Sequence, residues 1–526
     1  MTAQNPGQGG DRAMYAPGRA ERNGVFFGLT GPQAVLCGAT VVPLLLIFGA
    51  GARALAVELA PGAALLIALV VLPIRGRPAA RWLGDVSLHG IGLLTGWSSF
   101  QSRAAAGLPV LGHGPDQPGG LARLDPIEGP VMPEVGRVCV LHDTAERRWG
   151  ATARLTARGI GLASAHECHA MADGLRQMLR GLVDSERIDR VTLLVRSVPD
   201  DGTAYELWRA QHTVPDAPDL VRAATAELRA TAGAVAVRQE SFLTVSAPDD
   251  ALRREARDAG GGPIGHARAL YRGLGALTDP LQAMGCDPPE WLGPDALSEV
   301  VRTGFNPGAA GTLAQHRLTH PGPDEHSGDG GSGPSSAGSA GSAGWPWELA
   351  GPSRAPSPAA RSYTHDGYTT VSYTAVPTGA GIRFGSIGPL LAIRRAGVRR
   401  CVAIHFEVVP QRVATRMATR GRQSAALLGD VKADRGITRS AADARAGTAA
   451  YRTEDAIAAG EGLVRVAVTV SVTVPSHWNV EDHAQALEAA APGQYHLQRL
   501  ELAQDSGFVA STLPVGLGLP RLRTRL

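Results

Sequence analysis

The sequence predicts an α+β chain: an N-terminal transmembrane helical hairpin followed by two mixed α+β domains. Three observations carry this. Residues 34–77 are almost wholly apolar, interrupted by Arg53 and Glu58. Two later blocks alternate β-branched runs with segments of helical apolar period. A tract rich in Gly, Ser and Ala, "GSGPSSAGSAGSAG", separates the blocks. At 526 residues the chain is too long for one ordinary core.

Residues 1–30 read as a flexible basic N-terminus. No charge occurs between Arg22 and Arg53, room for a membrane-spanning helix of roughly 20 apolar residues. The hairpin is assigned to 31–76, with spans at 34–52 and 55–74. Pro43 lies inside the first, where membrane helices tolerate it. The second has a short uncharged core, 59–74, and needs 55–58 as its outer end. Arg12, Arg19 and Arg22 precede the pair, and Arg75, Arg77 and Arg81 follow it. The positive-inside rule then places both termini in the cytoplasm, in a multi-pass protein of the inner membrane.

Residues 77–130, with pieces such as "GHGPDQPGG", read as a juxtamembrane tether. The first folded block, 131–315, is expected to hold strands at 137–143, 149–157, 190–198 and 240–247. Helices are expected at 163–182, 220–232 and 263–285. Residues 316–344 are a linker, since Gly, Ser and Ala without apolar period cannot build a core. The second block, 345–526, is expected to hold strands at 368–376, 401–409 and 463–474. A long helical region is expected at 411–451, broken near Gly429 and Gly436, and a further helix at 480–491. Ferredoxin-like elements are expected in this strand–helix alternation.

Charge is nearly balanced at +3 and gives no general case for nucleic-acid binding. Lys432 is the only lysine, a sign of compositional bias towards arginine. The standard phosphate-binding loop needs a lysine followed by Ser or Thr, and Lys432 is followed by Ala433. A P-loop ATPase is therefore not expected, and no other familiar catalytic motif stands out. The five cysteines are scattered without a Cys-x-x-Cys pair. "HECH" (166–169) offers His166, Cys168 and His169, but no companion pair stands at zinc spacing. No cofactor is expected. Arg412, Arg416 and Arg420 recur every four residues with Arg422 alongside, a basic stripe on a helix. It could dock an acidic partner, or be a solvated face balanced by Asp430, Asp434 and Asp443.

"GLTGPQAVLCG", the apolar pair and "RGRPAARWL" together resemble the PrgI-like small membrane proteins of type IV secretion and conjugation systems. "RVTLLVRSVPDDG", "VRQESFLTVSA", "DALSEVVRTGFNP" and "STLPVGLGL" resemble a larger actinobacterial family. In that family such a hairpin is fused to a domain similar to the N-terminal, non-motor part of VirB-type ATPases. The resemblance implies a non-enzymatic anchor and adaptor whose motor is a separate chain. Its implied partners are a VirB-type ATPase, other secretion or conjugation subunits and the lipid bilayer, in an oligomeric assembly without sequence-specific nucleic-acid binding. The stripe Arg412, Arg416, Arg420 and Arg422 is the candidate docking site. Two alternatives stand beside it: a type VII secretion membrane component, and a membrane-tethered enzyme or regulator.

Overall fold

A computed structural model describes residues 14–15, 31–74, 77–109, 116–132, 135–159, 163–199, 202, 209, 212, 214, 216–232, 237–319, 344–378, 382–383, 385–434, 441–491, 493 and 495–518. The chain divides into two compact units. One comprises Met1–Pro17, Ser99–Arg416 and Ala456–Leu526; the other comprises Gly18–Ser98 and Met417–Asp455. Nearly all of the expected N-terminal segment 1–30, and residues 320–343 of the expected linker, lie outside the described residues.

The second unit opens with α1 (Gly31–Gly49) and α2 (Arg53–Val71). They are packed together, and the Gln33 side chain donates to the Val70 carbonyl at 2.8 Å. The helices begin and end a few residues earlier than the expected spans. Because α2 starts at Arg53, it reaches 19 residues. Among the described residues it is the one helix long and apolar enough to cross a membrane; the apolar run of α1, Val35–Gly49, is shorter. One candidate span therefore stands where two were expected. Pro73–Ile74 then pairs with Arg77–Pro78, and α3 (Ala79–Thr95) follows. This helix stands where the sequence suggested a tether.

The first unit is organised by one antiparallel sheet of eleven strands. The end of the expected tether supplies a sheet strand, β1 (Leu124–Glu128), and the first block supplies β2 (Cys139–Asp143), β3 (Arg148–Leu155), β4 (Arg190–Pro199), β5 (Val237–Pro248) and β6 (Glu290–Trp291). The second supplies β7 (Tyr363–His365), β8 (Tyr368–Pro377), β9 (Arg399–Val409), β10 (Leu463–Pro475) and β11 (Tyr495–Arg499). The order is β7-β8-β10-β9-β4-β5-β3-β2-β1, with β6 added to β3 and β11 to β8. The blocks at 131–315 and 345–526 thus share one sheet. The physical reason lies in β4 and β9, which are buried along most of their length on both faces and cannot serve as open edges. Eight residue pairs join them, from Arg190↔Glu407 to Ser197↔Arg400.

The chain traces the same path twice. In the first block the hairpin β2–β3 leads through α4 (Ala165–Ser185) to β4, then through α5 (Asp219–Ala232) to β5. Next come α6 (Asp249–Asp258), α7 (Gly262–Gly275) and α8 (Thr278–Ala283), the short β6 and α9 (Pro294–Phe305), followed by α10 (Ala310–Thr319). In the second block the hairpin β7–β8 leads through α11 (Gly388–Leu391) to β9, then through α12 (Gln411–Asp434) and α13 (Ala441–Ala458) to β10. There follow α14 (Val480–Ala490), β11 and α15 (Gln504–Thr512). In the first block β5 enters between β3 and β4, and in the second β10 enters between β8 and β9, each antiparallel to both neighbours, which is the split β–α–β arrangement. The middle strands even end alike, "TVSAP" at 244–248 and "SVTVP" at 471–475. The sheet order mirrors itself about the Leu194↔Ala403 pair.

Side-chain alternation divides the core between two faces. One face carries Trp149, Ala151, Val191, Leu243 and Val245 under α4, α6, α7 and α8. It continues as Val371, Tyr373, Val402, Val470 and Val472 under α11 and α14. The opposite face carries Cys139, Leu141, Leu194, Phe242, Cys401 and Ala403 under α9 and α15. Local signals agree with these elements. Ser164 and Glu167 form a reciprocal capping box at the start of α4. Asp366 and Gly367, both at positive φ, make the two-residue turn of the β7–β8 hairpin.

Two histidines are sealed beneath the α9/α15 layer. His365 sets Nδ1 2.6 Å from the Phe305 carbonyl and Nε2 2.9 Å from Thr370 Oγ1. His405 lies between Thr192 Oγ1 and Thr469 Oγ1 at 3.1 and 3.0 Å. Burial pulls His365 down to about 3 and His405 down to about 4. The unfolded chain takes up these protons near pH 6.5 and the folded chain does not, so stability falls as pH drops below that value. Each histidine contributes a slope of about 1.4 kcal/mol per pH unit over its window. Denaturant midpoints of the full chain in detergent should fall from pH 7 to pH 5, and His365→Gln should reduce the slope. A flat profile over that range would contradict the burial of both rings.

Candidate functional site

The arginine stripe lies on α12, as expected for its spacing. Ala414 and Ala418 are buried, while Arg412, Arg416, Arg420 and Arg422 are exposed. Arg412 and Arg416 belong to the first unit, Arg420 and Arg422 to the second. Arg422 Nε lies 2.6 Å from Glu454 Oε2, and Thr419 Oγ1 donates to the same carboxylate. The side chains of Asp430, Asp434 and Asp443, proposed as balancing charges, lie outside the described residues. Gly429 falls within α12, and Gly436 also lies outside them.

"HECH" resolves into separate tasks. Glu167 caps α4, Cys168 is buried, and His166 and His169 are exposed, with His169 Nδ1 2.7 Å from the Ala165 carbonyl. Among the described residues no group of three or more His, Cys, Asp or Glu is placed to hold a metal.

Among the described residues the densest charge cluster has no signature in residue spacing. At one end of the β4·β9 seam a cleft of about 60 Å³ is lined by Arg123, Asp143, Glu146, Arg148 and Arg190. The chain after α15, through Gly516 and Gly518, closes it. Arg190, at the start of β4, donates through Nε to Glu407 Oε1 at 3.1 Å and through Nη1 to Glu146 Oε2 at 2.9 Å. Arg465 on β10 takes the other oxygen of Glu407. Arg148 pairs with Asp189 and reaches Ser246 Oγ at 3.2 Å. Arg123 pairs with Asp143 at 3.2 Å.

Burial opposes the charge on Arg190, but Glu407, Glu146 and Asp189 outweigh it, and its pKa is raised. Burial pushes the Asp189 carboxyl up, against the pull of Arg148. Each carboxylate in the cluster therefore faces a guanidinium, and none stands free as a base. The arrangement can hold strands in register and can read a change of charge at the seam. Its charged residues come from five strands, β2, β3, β4, β9 and β10, and from the connecting segments at Arg123, Glu146 and Asp189. Only strand pairing brings them together, which is why residue spacing could not reveal them.

A second cavity, of about 240 Å³, opens between α9 and α10 beside Arg302, Asn306, Thr312 and Trp345. Arg302 is committed there to the Gly351 carbonyl and to Asp366, both at 2.6 Å.

Removing one partner of a buried ion pair leaves the other uncompensated, at a cost of about 3–5 kcal/mol. Glu407→Gln should therefore lower unfolding free energy by about 3 kcal/mol. The pair Arg190→Met and Glu407→Leu should cost less than the sum of the single changes, as residues in contact couple. Additive losses in a chemical-denaturation cycle would show that the seam pair is not coupled.

No family model matches this chain, and no curated protein sequence matches it.

Proposed function

We propose that this chain is a non-enzymatic membrane anchor and adaptor of a conjugation-like or type IV secretion-like apparatus, docking a separate VirB-type ATPase. The observation that carries the anchoring is the bare apolar surface of α2. Its apolar window has a mean hydropathy of 2.3 and is 6% buried, with Val57, Leu65 and Leu66 all exposed. A soluble protein does not leave such a helix uncovered; lipid supplies the missing apolar partner.

In this reading α1 crosses beside α2, and the arginine-rich flanks keep both termini in the cytoplasm of an inner-membrane, multi-pass protein. The adaptor role rests on the ordered resemblance of the two blocks to the non-motor part of VirB-type ATPases. It is supported by the exposure of Arg412, Arg416 and Arg420, which have no ion pair among the described residues. Such cations suit an acidic protein face.

In isolated membranes the chain should stay in the pellet after alkaline carbonate extraction, and the purified chain should hydrolyse no ATP by itself. Turnover that a point substitution within this chain abolishes would overturn the non-enzymatic reading. A photocrosslinker at Arg416 should capture a VirB-type ATPase when the two are co-expressed. Replacing Arg412 and Arg420 by Glu, with the crosslinker kept at position 416, should lower that capture about tenfold, a loss of roughly 1.4 kcal/mol. Unchanged capture would remove the stripe from the interface.

A further inference from the structure

Helix α3 has a two-sided surface that the anchor reading does not use. At 100° per residue, Leu83, Ile91 and Leu94 fall on one side, and Arg81, Asp85 and His89 on the other. The apolar side is uncovered: Leu94 is 89% exposed and Ile91 52%. Leu88 and Leu93 are exposed as well, at the borders of the polar side beside Arg81 and His89. The helix ends at Gly96, in the left-handed conformation with φ 71°, whose amide donates to the Gly92 carbonyl at 3.0 Å. That turn folds Trp97 back across Gly92, where an added Cβ would meet the indole nitrogen at 3.2 Å. The ring stays 66% exposed, with its polar edge towards the helix end.

We propose that α3 lies along the membrane–water boundary, with Leu83, Ile91, Leu94 and Trp97 in the outer acyl region and Arg81, Asp85 and His89 towards water. The inference rests on the reading that α2 enters the bilayer. Continuity fixes the occupant as lipid. The Ala79 amide donates to the Leu72 carbonyl at 2.9 Å, and Pro73–Ile74 pairs with Arg77–Pro78. These bonds hold the start of α3 at the end of the apolar helix, where headgroups begin. Arg81 lies in the first turn of α3 beside that junction, and a cation there favours anionic headgroups. Trp97, just past the end of α3, carries a side chain that partitions to this layer. A helix of this kind sinks its apolar face roughly 5–10 Å below the headgroups.

The test places an environment-sensitive fluorescent amino acid singly at position 94, 89 or 65 of the full chain. The protein is reconstituted into vesicles of phosphatidylcholine and phosphatidylglycerol. Quenchers are iodide in water, a lipid spin label near the carbonyls, and one near the chain ends. The shallow label should quench position 94 at least about twofold more than position 89, the reverse should hold for iodide, and position 65 should respond to the deep label. Iodide access at 94 together with deep quenching at 65 would overturn the interfacial helix and leave the span standing. Iodide access at 65 would overturn the span, whatever position 94 reports. Position 94 shielded from iodide and from both lipid labels would mean that a second copy covers it, which also overturns the proposal.

Discussion

The pairing of β4 with β9 is the constraint on which the large sheet depends. Each strand belongs to a different block, and each is built of residues such as Val191, Leu193, Leu194, Val402, Ile404 and Phe406 that need cover on both faces. Left as edges, these strands would expose apolar side chains together with unpaired amides. Joined, they become the centre of the sheet, and the two blocks become one folded unit. The ion cluster at Arg190 and Glu407 marks one end of this seam. A one-residue slip would turn every apolar side chain to the wrong face and separate the buried charges. Register is thus set twice, by apolar alternation and by charge.

The helices of the opposite face reinforce the same joint. The final turn of α9, within the first block, is received largely by residues of the second. Its Thr303 carbonyl accepts from Arg399, its Phe305 carbonyl faces His365, and Arg302 pairs with Asp366. Reciprocally, the chain after α15 returns to the first block, where Thr152 Oγ1 donates to the Pro514 carbonyl at 2.7 Å. Arg196 and Arg399 are both 1% exposed. Arg196 has Glu240 at 2.8 Å and the Phe242 ring at 4.7 Å, and it donates to the Val300 carbonyl. Arg399 has no ion-pair partner among the described residues, and burial pulls its pKa down to about 10. It remains charged at neutral pH. Cations at a helix C-terminus are favoured by the dipole and by the otherwise unpaired carbonyls, and α9 receives two of them.

Much of this fold was legible in the sequence, and the limits of legibility are physical. The strands around Val191, Phe242, Val371, Val402 and Val470 announced themselves by β-branched runs, and the expected boundaries match within a few residues. The seam was not legible, because nothing local to Val191 says that its partner is Phe406. The "HDGY" turn of the β7–β8 hairpin could have been read, since Asp-Gly is the strongest short hairpin signal. Helix α3 was hidden by three glycines within its 17 residues and by the threonine–glycine pair at its end, which read as a tether. The charged cleft was hidden because Arg148, Arg190 and Glu407 each sit at a strand end, where a charge is ordinary.

The apolar N-terminal helices obey a different rule from the sheet. Around Leu194 and Phe242 the large apolar side chains are covered by protein. Along α2 the reverse holds: backbone groups are largely satisfied within the helix, while Val57, Leu65 and Leu66 face outward. Water penalises that arrangement and hydrocarbon does not, because a helix with internal backbone bonds is what an apolar solvent accepts. Pro61 within α2 fits the same view, since it forfeits one amide and can still be accommodated beside a neighbouring helix. Helix α3 falls between these regimes, with charge on one side and leucine on the other. The sequence 53–97 therefore passes from a segment suited to hydrocarbon to one suited to its boundary.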